Sequence, residues 1–412
     1  MTKIDDKRVP ALRFKGFNDD WAQRKLGKLS KIKSGQTPSS HDNSNYYPPQ
    51  INWIRTGDLT NSKIISVDKL LSKKGAEKLT VFPKNTVVIA MYGGFNQIGR
   101  TGLLTFPSTI NQALAAISPN PLINSNFLLQ LLNKNIYTWR RVAASSRKDP
   151  NITKKDIENQ KFDFPSLFEQ EKISKLISLI DKLITLQQRK TEQLKLLKKA
   201  MLQKGFTNKS APTLRFKGFS KAWTEYPLGN LGKACSGYGF PNSEQGGNKG
   251  IPFYKVSDMN LAGNEDEMIY ANNYVTDAQI DRNNWKPIVD VPAIFFAKVG
   301  AAVLLNRKRL CKRPFLLDNN TMAYSLNKNI LSTQFTKSLF ETINLPSFIQ
   351  VGALPSYNTN DIESIKVKIP KIDEQEKIGI LLKKIERLIT RQQSKIKKLH
   401  STKQFLLQNM FI

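Results

Sequence analysis

The chain is predicted to fold as two similar α+β domains with curved mixed sheets, separated by two long helices packed as an antiparallel coiled coil, giving a pseudo-twofold internal repeat. Three observations carry this prediction. Pro10-Ala-Leu12-Arg13-Phe14-Lys15-Gly16-Phe17-Asn-Asp-Asp-Trp21 returns as Pro212-Thr-Leu214-Arg215-Phe216-Lys217-Gly218-Phe219-Ser-Lys-Ala-Trp223, with 8 of 12 positions identical at an offset of 202. A second repeat, offset by 205, runs from Pro165 and from Pro370 and is clearest at Glu169-Gln170-Glu171-Lys172-Ile173 against Glu374-Gln375-Glu376-Lys377-Ile378. Each copy of that second repeat opens a run with heptad-spaced apolar residues, the signature of a long helix that pairs with another.

The boundaries follow from these repeats: a first domain over 1–164, a first long helix over 165–211, a second domain over 212–369 and a second long helix over 370–412. Trp21 and Trp223, repeated aromatics at the openings, are expected to anchor cores. Within the first copy Thr86–Tyr92 reads as a buried strand, with shorter strands at Trp53-Ile54 and Leu103–Phe106 between Gly, Pro and Asn breakers. The second copy offers Ala293–Ala297 and Ala301–Leu305 as strands. Ser125–Val142 and Ser332–Phe348 read as helices beside these sheets.

In the first long helix Ile173, Ile180, Leu194 and Met201 take one seam position, and Leu176, Leu183 and Leu197 the other. The second repeats the seam with Ile378, Ile385, Leu399 and Leu406, and with Leu381 and Leu388. A run of about 40 residues makes a rod of roughly 60 Å. Gln187 and Gln392 sit at matching places on the seam, where a polar residue either fixes register or marks a loosened, solvated stretch.

Composition bounds the function. Lys and Arg outnumber Asp and Glu by 64 to 33, a net charge of +31 over 412 residues. Such an excess favours polyanions, because neutralising phosphates releases counterions; a membrane surface is the rival partner. No run of 18 apolar residues occurs and the N-terminal residues lack the apolar core of a signal peptide, so a cytoplasmic protein without membrane attachment is expected. Two cysteines without a CxxC pair and two distant histidines argue against a structural zinc site. They also leave few candidates for a catalytic base or thiol nucleophile.

Three catalytic look-alikes fail on their own chemistry. Gly94–Thr101 nearly spells a phosphate loop, but Arg100 replaces the Lys and a strand, not a helix, follows. Asn45-Tyr46-Tyr47-Pro48-Pro49 has the composition of an adenine methyltransferase tetrad without its order. The carboxylates Asp258, Glu265 and Glu267 lack a matching trio in the first copy and a Lys at nuclease spacing.

Candidates for nucleic-acid contact are better. Tyr92, Gly93, Gly94, Asn96 and Gln97 combine close backbone approach with amides that pair with adenine, and Arg100 suits guanine; a tight hairpin with a polar tip is the competing reading. Arg307, Lys308, Arg309, Lys312 and Arg313 supply five charges in seven residues, suited to phosphates or simply a basic surface loop. Lys255 and Lys298 add cations in the second copy; Lys255 falls opposite Arg55 when Trp53–Leu59 is laid on Phe253–Met259. Ser145, Arg147, Lys148 and Asn151 in the first copy, and Ser356, Tyr357 and Asn358 in the second, occupy matching polar turns before each rod.

Two divergent domains, each entered through Leu-Arg-Phe and left through a Pro and Glu-Gln-Glu-Lys-Ile, resemble the specificity subunit of a type I restriction-modification system over essentially the whole chain. Asn111-Gln112-Ala113 and Asn319-Asn320-Thr321 are similar to polar turns of such target-recognition domains. The resemblance implies that each globular domain reads one half of a bipartite sequence in double-stranded DNA, and that the helices set the gap. It implies docking of two modification subunits through Glu169, Gln170, Ile173, Ile180, Gln187 and Leu194, and through Glu374, Gln375, Ile378, Ile385, Gln392 and Leu399. Two restriction subunits would complete the complex. The chain itself would be non-catalytic and hold no cofactor or metal, with S-adenosylmethionine, ATP and magnesium belonging to the partners. The readings that compete are a stand-alone DNA-modifying or DNA-cutting enzyme and a basic coiled-coil scaffold for nucleic acid or protein.

Overall fold

The structure, a computed structural model, describes residues 8–144, 150–206, 211–349 and 355–412. It divides into two compact units, Met1–Gln188 with Ser394–Ile412 and Arg189–Gln393. Each unit therefore takes one globular copy, half of the first long helix (Leu167–Gly205) and half of the second (Ile372–Asn409).

The first unit is built on a five-stranded sheet in the order Ile32–Ser34, Leu114–Ile117, Val87–Ala90, Thr101–Leu104, Ser62–Ile64, antiparallel except for the last pair. Val87–Ala90 sits at its centre and is buried at every position, which is why its sequence is continuously apolar rather than alternating. A three-stranded sheet places Ile51–Ile54 between Leu70–Leu71 and Thr109–Ile110, the latter parallel. Ala22–Lys25 pairs with Lys161–Phe164, so the first and last strands of the globular part close on each other.

The second unit repeats the plan. Gly232–Ser236, Thr321–Leu326, Ala293–Ala297 and Lys308–Cys311 form an antiparallel sheet. Ile251–Tyr254 lies between Tyr274–Val275 and Leu316–Leu317, again with the second neighbour parallel. Thr224–Pro227 closes on Lys366–Ile369.

Three element assignments change. Ala301–Leu305 is a 3-10 helix, entered at Gly300 with φ +78° and left at Asn306 with φ +50°; Leu304 and Leu305 face solvent. The helix expected over Ser125–Val142 is two, Ser125–Lys134 and Ile136–Ala144, parted at Asn135. That over Ser332–Phe348 is Thr333–Thr342 followed by a 3-10 turn, Leu345–Phe348, opened by Pro346.

Within each unit the long helices run antiparallel. In the first, Lys403 lies 2.7 Å from Asp181, and Leu406, Leu407 and Leu176 border the core that contains Ile173. In the second, Lys198 lies 2.6 Å from Glu386, and Met201, Leu202 and Ile378 border the core that contains Leu382. The seam pairs Ile173 and Ile180 with Ile177 and Ile184, all buried, and Ile385 with Leu382. Leu183, Leu197 and Leu388, expected at the second seam position, are 46%, 48% and 42% exposed. In the first long helix the second row thus lies four residues after the first, carried by the β-branched Ile177 and Ile184 that the leucine row obscured in sequence.

Helix ends complete each core. Phe411 stacks on Phe127 at 5.0 Å between ring centroids and meets Trp21 edge-on. Its repeat partner Phe206 lies 5.2 Å from Phe335 and meets Trp223 edge-on. Both tryptophans are buried, as core anchors. Gly379 lies inside the second long helix because a Cβ there would come within 2.8 Å of the Phe335 backbone nitrogen. Among the described residues no helix is long and apolar enough to cross a membrane.

Candidate nucleic-acid interface

One backbone frame, present in both units, gathers much of the candidate chemistry. In the first unit the strand Ile32–Ser34 ends at Gly35, and the next N–H, of Gln36, donates to the Ile110 carbonyl at 3.0 Å. A Cβ on Gly35 would lie 2.3 Å from the carbonyl oxygens of Ile110 and Asn111, so only glycine allows this approach. Asn111 donates its N–H to the Ile54 carbonyl at 3.0 Å, and the adjacent Arg55 N–H is held by Asp58 Oδ2 at 2.7 Å. The Tyr92 hydroxyl donates to the Gln112 carbonyl at 2.6 Å, and the Thr37 hydroxyl meets the Gln112 side chain.

The second unit reproduces these bonds. Tyr238 N–H donates to the Leu317 carbonyl at 2.8 Å, and a Cβ on Gly237 would lie 1.9 Å from the Asp318 carbonyl oxygen. Asp318 N–H donates to the Tyr254 carbonyl at 3.0 Å and Lys255 N–H is held by Asp258 Oδ2 at 2.7 Å. Lys298 donates its N–H to the Asn320 carbonyl at 2.8 Å and its ammonium to Ser236 at 3.2 Å. The Lys255 ammonium donates to Gln245 at 3.2 Å. Burial pushes the Asp318 carboxyl up, opposed by bonds from Thr321 and Asn320 and by the charge of Lys255.

These bonds fix which residues correspond. Asn111 matches Asp318, and therefore Ala113 matches Asn320. The two polar turns singled out in sequence, Asn111-Gln112-Ala113 and Asn319-Asn320-Thr321, therefore overlap in this frame with Asn319 opposite Gln112.

Tyr92, Gly93, Gly94, Asn111 and Gln112 thus share one surface in the first unit, and Lys255, Lys298 and Asn320 share its counterpart in the second. The Tyr92–Arg100 segment is the connection between Val87–Ala90 and Thr101–Leu104, with Gly93, Gly94 and Gly99 at φ +118°, +90° and +78°. Asn96 is exposed at its tip, while Arg100 donates to the Gln97 side chain at 2.9 Å.

Other candidates are engaged elsewhere. The basic stretch from Arg307 is centred on the strand Lys308–Cys311, with Arg307, Lys312 and Arg313 flanking it, and the fold uses most of its charges. Lys308 donates to the Ile343 carbonyl at 2.6 Å, and burial brings its pKa down to about 8. Arg309 donates to the Asn264 carbonyl at 2.6 Å, Arg307 to Asn260 at 2.7 Å, and Lys312 pairs with Glu267. Arg313 alone of the five is exposed without such a bond among the described residues. Tyr357 is 3% exposed with its hydroxyl on the Ala297 carbonyl, and so is a core residue. Asn358 caps the helix Thr359–Glu363, and Ser356 bridges to Val299. Asn151 lies just ahead of the helix Lys154–Asn159, whereas Ser145, Arg147 and Lys148 fall outside the described residues.

The expected partner-binding set divides too. Glu169, Gln170, Glu374 and Gln375 are buried, which removes them from any docking face. Gln170 donates to the carbonyls of Leu122 and Pro165, and Gln375 repeats this on Ile330 and Pro370. Ile173, Ile180 and Ile385 are seam residues, with Ile378, Gln187, Leu194 and Leu399 half-buried beside them and Gln392 buried. Leu179, Leu183 and Leu186 are about half exposed and form an apolar row on the first long helix; of the three, the heptad reading uses only Leu183, and places it in the seam.

Among the described residues no group of three or more His, Cys, Asp or Glu side chains could hold a metal. Asp258 is a buried backbone cap that also accepts from Asn272, Glu265 accepts from the Gly263 N–H, and Glu267 pairs with Lys312.

The family model described as type I restriction modification DNA specificity domain matches twice, over residues 18–196 and 220–400. The chain is 23% identical over 409 residues to the type I restriction enzyme MjaIX specificity subunit of Methanocaldococcus jannaschii, covering 94% of this chain and 92% of that one. It is 23% identical over 191 residues to the EcoR124I/EcoR124II specificity subunit of Escherichia coli, covering 45% and 46%. In fold it is similar to the type I restriction-modification S subunit of M. genitalium, with a TM-score of 0.63 at 16% identity over 98% of this chain and 99% of that one. The two matched segments span most of the chain and coincide with the two structural repeats, so the chain belongs to the family of type I restriction modification DNA specificity domains.

Proposed function

We propose that this protein is the DNA sequence-recognition subunit of a type I restriction-modification complex. Each globular domain reads one half of a bipartite duplex target, and the paired helices set the gap between the halves. One observation carries the reading: both units build the same backbone frame, and the side chains it displays differ. Thr37, Arg55, Tyr92, Asn111 and Gln112 stand in one; Ser236, Lys255, Lys298, Asp318 and Asn320 stand in the other. A shared frame with altered donors and acceptors is what two readers of unlike half-sites require, since base edges differ in their donor and acceptor pattern. The excess of 31 positive charges supplies the sequence-independent attraction to phosphates.

The chain acts without catalysing. Two modification subunits dock on it and two restriction subunits join them in the cytoplasm, and those partners bring S-adenosylmethionine, ATP and magnesium. The exposed row Leu179, Leu183 and Leu186 supports docking along the first helix, because apolar side chains in a row on a soluble surface mark an interface. Exchange of residues 17–164 for another recognition domain tests the modular assignment. The methylated motif is expected to change in one half only; a change in both halves contradicts it. Insertion of one or two helical turns into each rod is expected to lengthen the gap.

A further inference from the structure

The capped turn that follows the middle strand of each three-stranded sheet presents one cation, Arg55 in the first unit and Lys255 in the second. We propose that these two residues determine specificity: each reads the acceptor edge of a guanine in the half-site of its own domain. The inference rests on the recognition function proposed above and assigns residues within it.

Their placement is the same and is rigid. In both units a 3-10 turn begins one residue after the strand, and an aspartate three positions on, Asp58 or Asp258, accepts the N–H of the cation at 2.7 Å. The preceding residue, Ile54 or Tyr254, accepts the N–H of Asn111 or Asp318, which places each cation beside the polar turn of its frame. A side chain launched from a fixed backbone loses less entropy when it engages a base.

The local chemistry asks for an outside partner. Arg55 is half-buried, and its Nε is shielded from solvent with no hydrogen-bond acceptor among the described residues. That Nε stays unsatisfied inside the protein at a cost, while the Nη1 and Nη2 donors of Arg55, which form no hydrogen bond among the described residues, remain for an incoming acceptor. Asn111 Oδ1 and Asp318 Oδ1 are likewise buried without a donor among the described residues. Each cation is thus accompanied by an unused acceptor. A phosphate offers acceptors only and would be repelled by Asp318, whereas the major-groove edge of a G·C pair combines the guanine acceptors N7 and O6 with the cytosine N4 donor. Guanine N7 and O6 match the fork of an arginine and are reachable by a lysine.

The test uses the full chain assembled with its modification subunits, at one salt concentration, and a duplex library in which each base pair of both half-sites is varied singly. With Arg55→Gln, discrimination at one base pair of the half-site assigned to residues 17–164 is expected to fall about tenfold or more. The other half-site and binding to unrelated duplex should stay unchanged, and Arg55→Lys should restore part of the preference at that same pair. Lys255→Gln should do the same in the other half-site. Equal weakening on every duplex, or unchanged discrimination at every pair, overturns the assignment while leaving the recognition reading intact. A wild-type complex blind to all positions overturns that reading and this inference with it.

Discussion

Arg13 donates through Nε and Nη2 to the two carboxylate oxygens of Glu169, each at 2.8 Å, and joins the opening segment of the first domain to the start of the helix that follows it. Arg215 and Glu374 form the same fork at 2.7 and 2.8 Å in the second unit. The two motifs that repeat most faithfully in sequence are thus partners in space. Glu169 and Glu374 are almost fully buried, so each depends on its arginine. Arg13→Met, which leaves a buried carboxylate unpaired, is expected to destabilise the first unit by about 3 kcal/mol. Adding Glu169→Met should recover much of the loss. Urea unfolding of the single and double variants checks this.

The C-terminal Phe411 fills the core beside Trp21 and Phe127. Phe411→Ala should cost about 3–5 kcal/mol, the usual penalty for emptying a buried aromatic site. Thermal unfolding should show the loss, and Phe411→Leu should be milder.

Lys308 makes stability depend on pH in an unusual direction. Burial holds its folded-state pKa at about 8, below the ordinary 10.5, so the unfolded chain binds more protons between these values. Below pH 8 the cost of burying the charge is fully present, and it fades as pH rises towards 10.5. The stability of the wild type relative to Lys308→Met should therefore improve from pH 7 to pH 10. Paired denaturant curves at the two pH values measure this difference.

Leu179 and Leu183 are about half exposed. Changing both to Lys should alter stability by less than about 0.5 kcal/mol each, as surface substitutions do. The same variant should lose co-purification with the modification subunits. A variant that keeps normal assembly contradicts docking on this face.

Much of the architecture was legible because duplication wrote it twice. The entrance and exit repeats pointed to two similar domains and two long helices, and Trp21 and Trp223 stand where repeated aromatics should, in cores. The seam was half legible, since the row through Ile173 and Ile180 is real but its neighbour is Ile177 and Ile184. Leucine spacing alone does not tell a packed row from an exposed one. The proposed recognition surface was least legible. Charge density singled out Lys308 and Arg309, which the fold consumes on carbonyls, whereas Arg55 was hidden in a weak correspondence around an ordinary capped turn. Whether a cation is free or spent depends on tertiary partners that the chain brings from dozens of residues away.

The most direct test of the account is to map methylated adenines in genomic DNA from cells with and without this gene, with the modification gene intact in both. The account predicts that one bipartite motif with a fixed gap is methylated only when the gene is present. An identical methylation pattern in both strains, with the modification subunit expressed, would contradict it.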